Sequence, residues 1–213
     1  LIEQTMSSGI SAHLGGMLGL GNWVTTNSSA CSTGTEAILL GADRIRQGKA
    51  KLMLCGGCDA SGPYVWGGFD SMRVLNRRSN GQPEKASSPM SVNASGFVPG
   101  SGAGALVLED LDSAIARGAT IYAEVLGGHC NSGGQMGGGT MTAPNSTAIQ
   151  RCISEAMKDA GVEAKEIDAI NGHLTSTMGD VLEVKNWRTA LGRSGNDFPY
   201  INALKSMTGH CLS

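Results

Sequence analysis

Thirty-two glycines are scattered through the apolar segments of this 213-residue chain instead of forming a low-complexity tract. Glycine at a frequency well above the ~7 % average favours tight turns and closely packed backbones. With 40 % hydrophobic residues, the chain is long enough to bury a sizeable core. The sequence therefore predicts a compact globular protein.

The charge and cysteine content exclude several classes of protein. Lys and Arg total 16 against 18 for Asp and Glu, and no block of like charge occurs, so neither nucleic acid nor an anionic membrane is an expected partner. No apolar run approaches the ~20 residues of a membrane span, and no targeting signal is visible. Six cysteines at uneven spacings indicate reduced thiols. We expect a cytoplasmic protein.

Apolar residues at helical spacing predict the helices, and glycines end several of them. The predicted helices cover 2–19, a stretch that begins with a Thr33–Glu36 capping box and stops at Gly48, 63–74, 112–117, 148–160 with Gly161 as its C-cap, and 181–191. Polar and glycine-rich stretches predict loops over 75–91 and 127–144.

Short β-branched and aromatic runs predict strands between these helices. The predicted strands cover 23–26, 51–55, 96–98, 102–109, 121–126, 167–171 and 199–202. Alternating strands and helices predict an α/β fold with a largely parallel sheet, whose active-site residues lie at strand ends. Two such units indicate a duplicated architecture. Because both ends of the chain fall inside predicted elements, we expect an internal fragment of a longer protein.

Three residues at strand-to-helix junctions are candidates for chemistry. Cys31 lies among small residues at a predicted helix N-terminus, where the helix dipole stabilises a thiolate and main-chain amides can bind an oxyanion. His173 and His210 follow two further strands, so all three can converge on one pocket. The residues alone leave open a cysteine acyltransferase, a cysteine hydrolase or a metal site. The metal site is the weakest of these, because no closely spaced ligand pair anchors it.

Four blocks of the sequence resemble those of a known family. Ser28–Gly34, Asn171–Thr177 with Gly179 and Asp180, and Lys205–His210 resemble the three active-site blocks of β-ketoacyl-acyl carrier protein synthases of the type I/II class, which have the thiolase fold. The segment Gly96–Glu109 resembles the glycine-rich strand pair of that family. The order and spacing of the blocks agree with the family over essentially the whole chain.

The resemblance implies a decarboxylative condensation. By the resemblance, Cys31 takes an acyl chain as a thioester from acyl carrier protein. His173 and His210 then assist decarboxylation of malonyl-acyl carrier protein and stabilise the oxygens on which negative charge develops. The second histidine distinguishes this class from type III synthases, which use Cys-His-Asn, and from thiolases, which use a second cysteine. One departure is Leu174, which stands where the family commonly has glycine.

The resemblance also assigns supporting residues and partners. Lys205 matches the lysine that supports the histidine pair electrostatically, and Thr175 and Thr177 match the threonines that bind the phosphopantetheine arm. No metal and no cofactor are expected, because the substrates are carried on the phosphopantetheine of acyl carrier protein. A homodimer is expected by resemblance only.

The resemblance divides the chain into parts of two thiolase-like halves in a layered α/β/α architecture. Residues 1–110 form the C-terminal part of the first half, which carries Cys31, and residues 111–213 form the N-terminal part of the second half, which carries both histidines. The blocks favour fatty-acid synthesis. A ketosynthase of a polyketide pathway and a non-catalytic partner subunit of the chain-length-factor type remain alternatives.

Overall fold

The computed structural model describes residues 2–133, 138 and 145–213. The described residues form two compact units. The first takes those within Leu1–Gly57 and Gly104–Tyr122 together with Ser213, and the second takes those within Cys58–Ala103 and Ala123–Leu212. Most of the second half of the predicted loop 127–144 lies outside the described residues.

The described part of the chain contains eight α-helices and four β-strands. In chain order these are α1 (Ile2–Thr5), α2 (Gly9–Leu18), α3 (Thr33–Arg46), β1 (Leu52–Asp59), α4 (Pro63–Ser71), β2 (Gly102–Glu109), α5 (Leu111–Ala116), α6 (Ser146–Ala160), β3 (Ala169–Asn171), α7 (Gly179–Leu191), β4 (Tyr200–Asn202) and α8 (Lys205–Thr208). β1 pairs with β2, and β3 pairs with β4.

In the first unit, glycines let helix α3 approach strand β1 closely. Gly41 of α3 is buried, and a Cβ atom at this position would overlap the Sγ atom of Cys55 on β1. Gly56 of β1 has no space for a Cβ atom either, because the carbonyl oxygen of Gly104 on β2 occupies it. The expectation that glycines serve close backbone packing is confirmed at these positions.

In the second unit, β3 and β4 form a parallel pair, with Ile170 opposite Ile201. Helix α6 is capped by Asn145, whose side chain accepts a hydrogen bond from the Ala148 N–H group at 2.8 Å. The helix ends at Gly161 in the left-handed region, as the sequence predicts. Helices α6 and α7 are joined by a 3.0 Å hydrogen bond that the side-chain amide of Gln150 donates to the side-chain oxygen of Asn186.

Three predicted strands are wrong. Residues 23–26 and 121–126 are not strands in the described part of the chain, and the 96–98 stretch contributes one isolated bridge, between Phe97 and Leu75, in place of a strand. β-Branched and aromatic residues favour a strand only where a neighbouring strand supplies backbone hydrogen bonds. Trp23 packs instead under the Arg44 guanidinium, which lies 4.8 Å from the centre of its ring.

Two further expectations concern cysteines and membranes. All six cysteines lie among the described residues, and none of them is joined in a disulfide, as the sequence predicts. Among the described helices, none has the length and apolarity that crossing a membrane requires.

The close approach of α3 to β1 predicts the effect of adding one methyl group. Gly41→Ala should lower the free energy of unfolding by about 1–3 kcal/mol, because Cys55 must shift within a packed interior. Gly67→Ala on α4 is the matched control, since a Cβ atom there meets nothing within 4 Å. The control should be neutral or stabilising by up to about 1 kcal/mol. Urea denaturation measures both, and equal effects would contradict the packing argument.

Candidate active site

Two histidines lie side by side in the second unit. His173 follows β3 in the loop that leads to α7, and His210 follows α8. Their ring centres are 5.0 Å apart, and the rings are nearly perpendicular, at 85°. The edge of one imidazole therefore faces the plane of the other, and the expectation that these two histidines come together is met.

Both imidazoles are held neutral at pH 7. Burial, helped by the positive charge of Lys205, lowers the pKa of His173 to about 4, and Asp180 opposes this shift. Burial, His173 and Lys205 lower the pKa of His210 to about 4. His173 nevertheless keeps an exposed surface, whereas His210 is buried. A neutral imidazole has one N–H donor and one acceptor nitrogen, so the pair can donate to a carbonyl oxygen.

Glu183 on α7 holds the backbone that carries His173. Its Oε1 atom accepts the N–H of His173 at 2.7 Å, and its Oε2 atom accepts the N–H of Leu174 at 2.9 Å. Burial raises the pKa of Glu183, and these two hydrogen bonds oppose the rise. A carboxylate that accepts one donor on each oxygen fixes both the position and the orientation of the loop.

Asp180, in the first turn of α7, holds the next residues of the loop. Its carboxylate accepts the N–H groups of Thr175 at 2.9 Å and Ser176 at 3.1 Å. It also accepts the N–H of Met90 at 3.0 Å. Asp180 is only 3 % exposed, so these backbone donors replace the water that the carboxylate loses on folding.

The loop contains two non-glycine residues in the left-handed region. Leu174 has φ +22° and Ser176 has φ +65°, and both side chains are fully buried. Such backbone costs about 1–3 kcal/mol per residue and persists only where surrounding contacts fix it. The hydrogen bonds to Asp180 and Glu183 supply those contacts. Leu174, which departs from the family, points into the interior beside Gly172.

The two predicted pantetheine-binding threonines are neighbours in this loop. The Oγ1 atoms of Thr175 and Thr177 are 3.1 Å apart, within hydrogen-bond distance. Thr177 also accepts the N–H of Gly179 at 3.2 Å, which connects the loop to the start of α7. Both hydroxyl groups therefore have defined positions at the end of the loop that carries His173.

The segment around His210 is fixed through its backbone. The His210 N–H donates to the Val98 carbonyl oxygen at 2.7 Å, and the His210 carbonyl oxygen accepts the N–H of Gly100 at 2.8 Å. The ring of Phe97 lies edge-on to the imidazole, with centres 5.3 Å apart. Lys205, on the short helix α8, is half-buried and lowers the pKa of both histidines.

Cys31 belongs to the first unit, where it is exposed in a 3-10 turn, Ala30–Ser32, directly before α3. The preceding Ala30 has φ +51°, a strained value for a residue other than glycine. Helix α3 begins at Thr33, so the prediction that Cys31 lies at a helix N-terminus is confirmed. The expectation that a strand precedes Cys31 directly is wrong, because residues 22–29 form no regular strand.

Polar side chains around the turn replace the predicted capping box. Thr33 does not cap α3: its hydroxyl donates to the Ala30 carbonyl oxygen at 2.6 Å and accepts the Ser29 N–H at 2.9 Å. Glu36 accepts hydrogen bonds from the Ser29 hydroxyl and, at 3.1 Å, from the Asn27 amide. The turn that carries Cys31 is thus stabilised by hydroxyl and carboxylate groups of its own unit.

Sequence reasoning missed the clamping roles of Asp180 and Glu183. One signal was present: two carboxylates three residues apart open a helix directly after a loop of small polar residues. Side chains in a first helical turn can reach back to unpaired N–H groups of the preceding loop.

Family models match the parts of the chain that contain the sequence blocks described above. The model of the beta-ketoacyl synthase N-terminal domain matches residues 1–114, and that of the C-terminal domain matches residues 122–213. The chain is 40 % identical over 215 residues to the 3-oxoacyl-[acyl-carrier-protein] synthase 2 of Vibrio cholerae, covering 99 % of the chain and 51 % of the relative. It is 42 % identical to the chloroplastic synthase II of Arabidopsis thaliana, covering 89 % of the chain and 35 % of the relative.

Two solved structures agree closely with the fold. A beta-ketoacyl synthase from Burkholderia phymatum STM815 has a TM-score of 0.87 at 36 % identity, over 96 % of this chain and 48 % of that one. A type II polyketide ketosynthase solved in complex with its acyl-carrier protein has a TM-score of 0.87 at 30 % identity, over 99 % of this chain and 52 % of that one. The protein therefore has the α/β, thiolase-like fold that the sequence predicts.

The family follows from these matches and from the loops that carry the two histidines. The chain belongs to the beta-ketoacyl synthase family, as its motifs indicate. It spans about half the length of the Vibrio cholerae relative and of both solved structures.

The lowered histidine pKa values predict how stability depends on pH. The unfolded chain binds protons on its histidines with pKa values of about 6.5, whereas folded His173 and His210 bind them only near 4. The unfolded state therefore takes up protons first, and the free energy of unfolding should fall as the pH drops from about 6.5 to 4. Urea denaturation across this range measures the slope. A double variant, His173→Asn with His210→Asn, should have a shallower slope; an unchanged slope would reject the assignment.

The clamp by Asp180 predicts a large effect of one isosteric change. Asp180→Asn should lower the free energy of unfolding by about 2–3 kcal/mol, because an amide offers one acceptor oxygen where backbone donors face two. Asp168→Asn, at an exposed carboxylate of the same unit, is the control and should change it by less than about 0.5 kcal/mol. Thermal or urea unfolding compares the pair, and equal losses would argue against the clamp.

Proposed function

We propose that the protein acts as a condensing enzyme of fatty-acid synthesis. It transfers an acyl chain to Cys31 and extends this chain by decarboxylative Claisen condensation with malonyl-acyl carrier protein. The product is 3-oxoacyl-acyl carrier protein. The observation that carries the proposal is the neutral pair His173–His210, with ring centres 5.0 Å apart, in a member of the beta-ketoacyl synthase family.

The first half-reaction loads the chain. The Cys31 thiolate attacks the thioester carbonyl of acyl-acyl carrier protein, a new C–S bond forms, and the carrier thiol leaves. The position of Cys31 before the 14-residue helix α3 supports this role, because the helix N-terminus favours a thiolate and offers main-chain N–H groups to the developing oxyanion.

The second half-reaction forms the carbon–carbon bond. Malonyl-acyl carrier protein loses carbon dioxide, and the electron pair of the broken bond becomes an enolate. Neutral His173 and His210 donate N–H hydrogen bonds to the oxygen that carries this charge. The enolate carbon attacks the acyl-Cys31 carbonyl, the C–S bond breaks, and the thiolate is regenerated as 3-oxoacyl-acyl carrier protein leaves.

Three further residues support these steps in the proposal. Burial is the main reason that both imidazoles stay neutral, and the positive charge of Lys205 adds to it, so that each ring keeps an N–H donor without carrying a charge. The adjacent hydroxyl groups of Thr175 and Thr177 bind the phosphopantetheine arm of the incoming substrate. The reaction uses neither a metal nor a cofactor, because the thioester itself activates the carbonyl and loss of carbon dioxide drives the condensation.

Acyl carrier protein is the proposed partner. The protein itself is proposed to be a homodimer and to lie in the cytoplasm. The names of the relatives, which are 3-oxoacyl-[acyl-carrier-protein] synthases, support the partner. So does the solved ketosynthase that is bound to its own acyl-carrier protein. The dimer and the location rest on the resemblance to the family.

Solved neighbours give the polyketide alternative some support. One is the polyketide ketosynthase described above, which is bound to a hexaketide, and another is the ishigamide ketosynthase/chain length factor, with a TM-score of 0.84 at 34 % identity. The fatty-acid proposal is preferred because relatives named for that reaction reach about 40 % identity. The number of keto groups in the product separates the two proposals, since a polyketide synthase releases chains with several keto groups.

Mass spectrometry of the full-length protein tests the proposal. Incubation with acyl-acyl carrier protein should add one acyl group to the peptide that contains Cys31, and Cys31→Ala should abolish the adduct. Cys130→Ala, at another exposed cysteine, should leave it unchanged. Malonyl-acyl carrier protein should then convert the adduct into a 3-oxoacyl product. A folded protein without an adduct would overturn the proposal in favour of a non-catalytic partner subunit.

A further inference from the structure

The segment Ser87–Gly96 is bonded to the loop that carries His173. Ser176, at the centre of that loop, is fully buried and provides two hydrogen-bond acceptors for backbone N–H groups of the segment. The Ser176 Oγ atom accepts the N–H of Ser88 at 3.1 Å, and the Ser176 carbonyl oxygen accepts the N–H of Gly96 at 2.9 Å. Both ends of the segment are therefore attached to one residue of the loop.

The same segment is bonded to the helix that carries Lys205. The Ser87 hydroxyl donates to the Lys205 carbonyl oxygen at 2.5 Å. The chain then runs directly from Gly96 into Phe97 and Val98, which contact the ring and the backbone N–H of His210. One short stretch of chain thus touches both histidine-bearing segments of the second unit.

Ser176 has a conformation that the loop alone would not favour. Its φ of +65° suits glycine, yet the position holds a serine that is fully buried. Its N–H donates to Asp180 at 3.1 Å, so backbone donor, backbone acceptor and hydroxyl are all engaged. A polar side chain in a strained and buried position indicates that its hydroxyl has a structural or functional role.

We propose that Ser176 is a positioning residue: its hydroxyl fastens the His173 loop to the segment Ser87–Gly96 and so fixes the distance between His173 and His210. The inference rests on the proposed condensation for its kinetic consequence, though not for its structural one. Without the hydroxyl, the N–H of Ser88 loses its acceptor, and the loop and the segment can separate at that end, while the bonds from Gly96 to the Ser176 carbonyl oxygen and from Met90 to Asp180 remain.

Separation of the two segments has two measurable effects. Donors that stabilise a developing charge must be placed to within about a few tenths of an ångström. A small displacement of His173 therefore lowers the rate of the chemical step more than it weakens substrate binding. His173 already has an exposed surface, and additional water beside it weakens the desolvation that lowers its pKa. The titratable groups around His173, which are His210, Lys205, Asp180 and Glu183, stay in the variant, so a change in the pKa of His173 reports hydration and spacing.

The test uses two variants of the full-length protein that both remove the hydroxyl. Ser176→Ala keeps the Cβ atom, and Ser176→Gly also relaxes the backbone at φ +65°. Both should lower kcat about tenfold with KM changed by less than about twofold. In NMR titrations, both should raise the pKa of His173 by about one unit from about 4. Ser206→Ala is the matched control, because its exposed hydroxyl donates only to the nearby Ala203 carbonyl oxygen, at 3.0 Å.

Each outcome decides the inference. The proposal stands if both variants shift the pKa of His173 while the control does not. Unchanged pKa values, with or without a loss of thermal stability, would overturn it and leave Ser176 a purely structural residue. An effect of Ser176→Ala that Ser176→Gly lacks would also overturn it, since backbone strain would then be the cause. If the wild-type protein does not condense substrates, the proposed function fails, and the NMR titration still decides the role of Ser176.

Discussion

The structure of the second unit depends on two carboxylates that accept backbone N–H groups. Asp180 and Glu183 lie one helical turn apart on α7, and together they bind the N–H groups of four consecutive loop residues, 173–176. Charged acceptors form stronger hydrogen bonds than neutral ones, and their burial strengthens them further. This energy allows two residues other than glycine to remain in the left-handed region and holds His173 at a fixed place.

The electrostatic character of the histidine pair follows from that placement. Because the loop is fixed, His173 stays beside His210 and near Lys205, and burial with nearby positive charge keeps both rings neutral. A neutral ring keeps one N–H group, which can donate a hydrogen bond to an oxygen on which charge develops. The carboxylates thus contribute to the chemistry indirectly, by holding the backbone rather than by contacting a substrate.

Sequence reasoning predicted what local pattern determines and missed what distant pairing determines. Helix α6 and its Gly161 cap were predictable because capping and helical spacing are local. The histidine loops were predictable because their motifs are contiguous. The segments 23–26 and 121–126 are not strands in the described part of the chain, and propensity alone does not identify which segments pair in a sheet. The clamp by Asp180 and Glu183 was missed because a carboxylate does not indicate in sequence which N–H group it will bind.

The clamp on α7 contacts main-chain atoms, and this has a consequence for how the loop can vary. Because every residue except proline offers the same N–H group, substitutions in the loop leave the clamp intact as long as the backbone keeps its path. Length is a different matter. One residue inserted or deleted between His173 and Asp180 would move backbone donors away from their carboxylate oxygens, so the clamp depends on the length of this part of the loop.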